Sequence, residues 1–224
     1  MGATRIIAVR HGETAWNVDT RIQGQLDIAL NDKGRWQAER VGEALADEAI
    51  ARIYASDLSR AHATAQAIAR KTANPRAQDV QLHPGLRERC FGTFEGQTHA
   101  EIAAQWPEEN QRWRQRDPHF APPGGESPTQ LRERVARTLA ELAQPHAGEQ
   151  IVLVAHGGVL DMLYRLATHQ DIGASRTWEL GNAAINRLLW TPDTLTLVGW
   201  ADTQHLDAAS LDDSSVQSSS GQVS

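Results

Sequence analysis

Residues 6–14, Ile6-Ile7-Ala8-Val9-Arg10-His11-Gly12-Glu13-Thr14, carry the reading on which the fold turns. An apolar, partly β-branched run of roughly four to eight residues reads as a strand buried on both faces of a parallel sheet. Such a strand ends here in an arginine and a histidine. In open α/β sheets the carboxyl ends of the strands are where ligands bind. Arg10 offers a planar, permanently charged fork for phosphate oxygens, and His11 a ring nitrogen that is a neutral nucleophile near pH 7. Gly12 is expected to let the backbone come close to a ligand.

A second run of the same kind, Ile151-Val152-Leu153-Val154-Ala155, ends in His156-Gly157-Gly158. Between the two runs, Asn31 or Asp32 caps an expected helix from about Lys33 to Glu48, and Arg52 to Ala55 reads as a short strand. Ser56-Asp57-Leu58 reads as the cap of a helix over Ser59 to Thr72, which places Arg60 in its first turn. Val80 to His83 is expected as a third strand. Leu131, Val135, Leu139 and Leu142 mark a helix that Ser127-Pro128 starts. Asn186 to Trp190 and Thr194 to Trp200 read as paired strands about Pro192-Asp193. Residues 17–30 read as a loop over the end of the first strand. Residues 86–125, the least periodic part, read as an insertion with short helices that forms a lid over the sheet edge. The expectation is one α/β domain over 1–205 and a disordered Ser-rich tail over 206–224.

The composition narrows the field. Of 224 residues, 40% are apolar and 22% charged, and no run of ~18 apolar residues is long enough for a membrane span. A cytoplasmic protein without nucleic-acid or membrane partners is expected. A single cysteine, Cys90, excludes an internal disulfide and is read as a packed apolar group. The net charge is −6. Asp207, Asp212 and Asp213 carry half of it, and no basic run suggests a nucleic acid. A phosphate site must therefore be a local cationic pocket.

Cleavage of a phosphomonoester needs an in-line nucleophile, positive charge about the phosphoryl oxygens and a proton for the leaving oxygen. His11 can attack phosphorus and hold it covalently, dividing one hard displacement into two. Arg10, Arg60 and His156 can surround the oxygens. His156 would have to be protonated for this, which the phosphate dianion itself promotes. The Gly157 amide at a helix start adds a dipole of the right sign. In the stretch Leu86-Arg87-Glu88-Arg89-Cys90-Phe91-Gly92, Glu88 is the candidate acid, and Glu95 its rival. The plain alternative for Glu88 is an ion pair with Arg87 or Arg89, and for Arg60 a surface salt bridge.

Taken in order, Arg10 to Thr14, Asn17, Gln23-Gly24, Ser56-Asp57-Leu58, Arg60-Ala61, the Glu88 stretch, Gly125-Glu126-Ser127 and His156-Gly157-Gly158 resemble the histidine phosphatase superfamily, the phosphoglycerate mutase-like proteins. The resemblance spans roughly residues 5–190. It implies an α/β three-layer sandwich with a mostly parallel central sheet. It also implies His11 as phosphorylated nucleophile, Glu88 as proton donor and Arg10, Asn17, Arg60 and His156 as the phosphate pocket. Arg21, Gln23 and Gly24 are expected at the substrate. In the cofactor-dependent mutases of this superfamily a lysine follows the acid stretch and an arginine pair lies in the insertion. Here His99 and Arg114-Gln115 stand in those places, which favours a phosphatase. Arg21, Arg114 and Arg116 remain candidates for gripping an acidic substrate.

The reading is a phosphatase acting on a small phosphomonoester, of the sugar phosphate or phosphoglycerate type, through phosphohistidine. Its alternatives are a cofactor-dependent phosphoglycerate mutase and a non-catalytic phosphate-binding adaptor module. No cofactor or metal is called for. His62, His83, His119, His146, His169 and His205 show no ligand spacing. The seven tryptophans are expected to pack core and lid, and the strands near 186–200 offer an edge for a homodimer.

Overall fold

The computed structural model describes residues 2–207. The strands are β1 (Thr4–Arg10), β2 (Arg52–Ala55), β3 (Gln81–Leu82), β4 (Gln150–Ala155), β5 (Ile185–Trp190) and β6 (Leu195–Asp202). They form one sheet in the order β3-β2-β4-β1-β5-β6. Strands β3, β2, β4 and β1 run parallel, while β5 and β6 are antiparallel additions. The two apolar runs that end in histidine are therefore neighbours.

Both faces of these central strands are covered, which is why neither run alternates with polar residues. Ile6, Ala8, Ile151, Leu153 and Ala155 face a core shared with α7 (Pro128–Ala143) and α8 (Gly157–Thr168). Ile7, Val9, Val152 and Val154 face the opposite core, shared with α2 (Asp32–Ala44) and α3 (Ser59–Lys71). This is the expected three-layer sandwich with a mostly parallel sheet. No helix among the described residues is long and apolar enough to cross a membrane.

Several boundaries differ from expectation for physical reasons. Helix α1 (Ala15–Val18) occupies the start of the expected 17–30 loop, closed by a capping box between Thr14 and Asn17. Asn31, not Asp32, caps α2, accepting from the Gly34 amide at 2.7 Å. That helix stops at Ala44, short of Glu48. The turn that follows delivers Glu48 to Gln150 and Arg187, both at 2.9 Å. The α3 cap is not local. The Ser59 amide donates to Asp27 at 2.7 Å, and Asp57 instead holds Arg87 in a bidentate pair. Asn74 caps an additional short helix, α4 (Pro75–Gln78). The third strand shrinks to two residues.

The insertion holds α5 (His99–Gln105) and α6 (Pro107–Arg114) around a small core of its own. Phe94, Ile102 and Phe120 are buried there, with Ile22, Trp106 and Trp113 against them. It stands at the carboxyl ends of β1 and β4 rather than over a sheet edge, for Phe91 and Trp113 share a cavity with Arg10 and Gly157. Among the tryptophans, Trp36 is exposed, while Trp178 stacks on Tyr164 beneath α8. Of the expected tail, Leu206 and Asp207 belong to a final short helix, α9 (Gln204–Asp207), with Leu206 packed on the α2–α3 core. Residues 208–224 lie outside the described residues.

Candidate active site

The register between β1 and β4 builds the site. Arg10 pairs with Ala155, and the His11 amide donates to the Ala155 carbonyl at 3.0 Å, so His11 and His156 leave adjacent strands at the same height. Their rings lie 5.1 Å apart between centroids and tilted by 57°. Both side chains are buried, His11 3% exposed and His156 0%.

The His11 tautomer follows from its partner. Nδ1 lies 2.7 Å from the Gly12 carbonyl oxygen, which can only accept, so Nδ1 carries the proton. The lone pair of the neutral ring is then on Nε2. Burial, reinforced by the charges of Arg10 and Arg60, holds the His11 pKa well below the ordinary imidazole value, against the raising effect of the Gly12 bond. A neutral imidazole with its donor side engaged is the form a nucleophile needs.

His156 begins α8 as its N-cap residue but makes no capping bond. Both its ring nitrogens are buried without a protein partner. Its pKa is also pushed well down, by burial first and then by His11, Arg60 and Arg10. The expected protonated His156 therefore requires the counter-charge of a bound phosphate. Alone, the protein favours the neutral ring.

The guanidiniums divide their donors between structure and site. Arg10 Nη1 donates to the Leu180 carbonyl, and its Nε is buried without a partner. Arg60, 1% exposed, donates to the carbonyls of Gly24 at 2.7 Å and Leu26 at 2.8 Å, and its Nε is likewise unpartnered. It is no surface salt bridge. Buried polar atoms left unpaired are costly and rare, and the Nε donors of two arginines beside the two open ring nitrogens of His156 describe a cradle for an anion. The same set repels a cation.

Glu88 stands beside this cradle. A Cβ on Gly157 would lie 3.6 Å from Arg10 Nε and 3.8 Å from Glu88 Oε2, so these groups share one small space. Glu88 accepts the Gly158 amide at 3.1 Å on both oxygens and the Arg89 amide at 2.7 Å on Oε1. It is not the ion pair of the plain alternative. Arg87 goes to Asp57, and Arg89 is spent on the carbonyls of Glu126 and Phe120. Burial lowers the Arg89 pKa to about 10. The amide at the carboxylate is that of Gly158, while Gly157 lines the cavity.

Of the remaining expected residues, Asn17 reaches the site through its network. Its Oδ1 accepts from the Thr14 amide at 3.0 Å and from Asn182 Nδ2 at 3.3 Å. Arg21 does not reach it. It donates to the Gly96 carbonyl and pairs with Glu101 at 3.1 Å, fastening the 17–30 loop to α5. Gly24 (φ +51°) acts through its carbonyl on Arg60, and a Cβ there would strike Glu95. Gln23 brings a buried, unpartnered Oε1 to the same turn. Glu95 accepts the amides of Gln25 and Phe91, so it is a loop clasp and no rival acid. Gly12 serves α2 rather than a ligand, since a Cβ on it would lie 2.3 Å from the Gly34 carbonyl oxygen. The Cys90 thiol, half-buried with its pKa raised by burial, suits the packing role.

Two positioning residues escaped the sequence reading. Asn182 donates to the His11 carbonyl at 3.0 Å, and the Ala183 amide donates to the Arg10 carbonyl at 3.0 Å. Arg134 on α7 grips Glu126 bidentately at 2.8 and 2.7 Å. It also donates to the carbonyls of Gly85 at 2.8 Å, Arg87 at 2.9 Å and Glu88 at 3.3 Å. An arginine on a helix carries no local signal that its partners are backbone carbonyls some fifty residues away.

A cavity of about 430 Å³ opens from Arg10, Glu88 and Gly157. Its walls include Phe91 and Trp113 from the insertion and Asp161 and Arg165 from α8, with Arg116 and Arg176 also lining it. Arg114 does not line it, and His99 is stacked on Trp113.

Fold and site together define a phosphoryl-transfer protein built around paired strand-end histidines. The sequence profile of the histidine phosphatase superfamily (branch 1) matches residues 6–203, and the chain belongs to that family. It is 40% identical over 205 residues to phosphoglycerate mutase-like protein 4 of Arabidopsis thaliana, covering 90% of this chain and 86% of the relative. It is 38% identical over 208 residues to the metal-independent phosphoserine phosphatase of the same plant, covering 92% and 84%. Among solved structures it is similar to Bacillus stearothermophilus YhfR, with a TM-score of 0.83 and 30% identity over 91% of this chain and 100% of that one. A mycobacterial glucosyl-3-phosphoglycerate phosphatase complexed with VO3 gives a TM-score of 0.76 and 33% identity, covering 89% and 99%.

Proposed function

We propose that this protein is a phosphoric monoester hydrolase that removes phosphate from a small metabolite through phosphorylated His11. The observation that carries the reading is the His11 tautomer, with Nδ1–H on the Gly12 carbonyl and Nε2 free beside His156. Relatives named as phosphatases of phosphoserine and of glucosyl-3-phosphoglycerate support the substrate size.

The steps balance as follows. Nε2 of His11 attacks phosphorus in line, forming the N–P bond as the P–O bond to the leaving group breaks. Protonated Glu88 gives its proton to the departing oxygen. Arg10, Arg60 and a His156 charged by the bound dianion neutralise the three equatorial oxygens. Water then attacks the phosphohistidine while the Glu88 carboxylate takes its proton, which restores both groups and releases phosphate.

Mass spectrometry of protein quenched during turnover of p-nitrophenyl phosphate should find the phosphoryl group on His11. Glu88→Gln should retain the first step with this substrate, whose leaving group needs no proton. It should lose roughly 10²–10⁴-fold in the second step, so that phosphoenzyme accumulates. A His11→Ala protein that still released phosphate at the wild-type rate would overturn the reading. Neither Arg114 nor His99, the residues in place of the mutases' carboxylate grips, lines the cavity, although Arg116 does. Isomerisation faster than phosphate release and dependent on 2,3-bisphosphoglycerate would select the mutase.

A further inference from the structure

The far end of the cavity makes a demand that the phosphate cradle does not. Asp161 lines it, one turn beyond Gly157 on α8 and hence ~6 Å further along the helix axis. One carboxylate oxygen, Oδ2, accepts from Arg165 Nε at 3.0 Å. The other, Oδ1, is buried and has no partner in the protein. A charged acceptor shut away from water without a donor is costly, so the site is complete only with a donor from elsewhere.

That donor does not come from Arg165. Its other nitrogens are committed to the carbonyls of Asp171 and Ala174, and its guanidinium stacks over Trp178. It fixes Asp161 and closes the wall. Asp117 across the cavity is likewise spent, on Arg112 and the His119 amide. Phe91 and Trp113 offer flat apolar surface, while Arg116 and Arg176 make the surroundings cationic.

Resting on the phosphatase reading, we infer that Asp161 is a specificity-determining residue that accepts a hydrogen bond from a hydroxyl of the leaving group, and that the substrate is a phosphorylated polyhydroxy compound of sugar size. The chemistry of the walls selects a hydroxyl. An ammonium donor would be drawn to Asp161 but repelled by Arg10, Arg116 and Arg176. A carboxylate would suit the arginines and leave Oδ1 unpaired. A ring carrying several hydroxyls meets Oδ1 with one of them and lays its C–H face on the aromatic wall. About 430 Å³ lies in the ~300–1,000 Å³ range of small-molecule sites and exceeds the needs of phosphate alone.

The test compares Asp161→Asn with wild type on three probes: glucose 1-phosphate, O-phosphoserine and p-nitrophenyl phosphate, whose leaving group has no donor. Asparagine keeps the shape and an oxygen for Arg165 but replaces the second acceptor by an amide. The expected result is a loss of roughly ten- to a hundred-fold in kcat/KM for the sugar phosphate, the value of a hydrogen bond to a charged group. On p-nitrophenyl phosphate the change should stay within about three-fold, a difference too small for a lost hydrogen bond of that kind. Equal loss on all three probes would overturn the assignment, since Asp161 would then act only through Arg165. Unchanged rates on all three would overturn it as well. A loss greatest on O-phosphoserine would replace the hydroxyl by an ammonium. Wild-type protein that released phosphate from none of them would remove the phosphatase reading itself.

Discussion

At the residue scale the site depends on two imidazoles kept neutral for different ends. His11 is neutral so that it can attack, and His156 so that it can be charged by what binds. The coupling can be measured with sulfate, a dianion that does not itself titrate near neutrality. Sulfate binding should take up a proton and weaken as pH rises, and His156→Gln should abolish the uptake seen by calorimetry in buffers of different ionisation enthalpy. Uptake that persisted in this variant would move the proton to His11. Gly158 makes an equally local prediction. A Cβ there would lie 2.3 Å from Glu88 Oε1, so Gly158→Ala must displace the carboxylate. Turnover should fall on the order of 100-fold, the usual consequence of misplacing a reacting group by ~1 Å. Sulfate affinity should be unchanged, which separates the acid from the cradle.

At the element scale, helices are held by partners outside their own turns. Helix α3 presents Arg60 from its first turn, yet its cap is the Asp27 carboxylate from the loop that Arg60 itself anchors. Loop and helix start therefore fix one another. Helix α7 does the same for the acid stretch through Arg134. Arg134→Ala takes a donor from Glu126 and from three carbonyls, of which that of Glu88 keeps the Gln25 side-chain amide. It should cost about 2–3 kcal/mol in urea melts, less than a fully buried pair because some solvent reaches both partners. Because the backbone of the Glu88 stretch would be held less firmly, kcat on p-nitrophenyl phosphate should fall further than KM rises. A variant with unchanged kcat would make Arg134 a stabilising residue and nothing more.

At the scale of the whole molecule, β4 sits between β2 and β1, so two strands distant in sequence end side by side. This assembly carries a pH dependence. In the folded state His11 and His156 have pKa values below the ordinary 6.5, whereas in the unfolded chain they titrate near it. As pH falls below about 6.5 the unfolded state binds protons that the folded state refuses, so stability declines toward acid. Thermal melts should show that decline, phosphate should oppose it, and His156→Gln should flatten it. A profile unchanged by that substitution would sink the assignment.

The sequence by itself determined much of this protein. Two continuous apolar runs read as doubly covered strands because burial on both faces removes alternation, and the residues that ended them had to lie where such sheets bind ligands. His11, His156, Arg10 and Arg60 at strand ends and a helix start, and Glu88 in its turn-rich stretch, were legible because together they follow the motif order of the histidine phosphatase superfamily. What only the tertiary structure decided was pairing across distance. It brought Arg134 to the acid stretch, Asn182 to His11, the amide of Gly158 to Glu88, and Arg21 to Glu101 instead of a substrate. Hydrogen-bond partners that fold from far along the chain leave no periodicity and no local cap to read. Their energy is gained only once the register of β1 against β4 has been set.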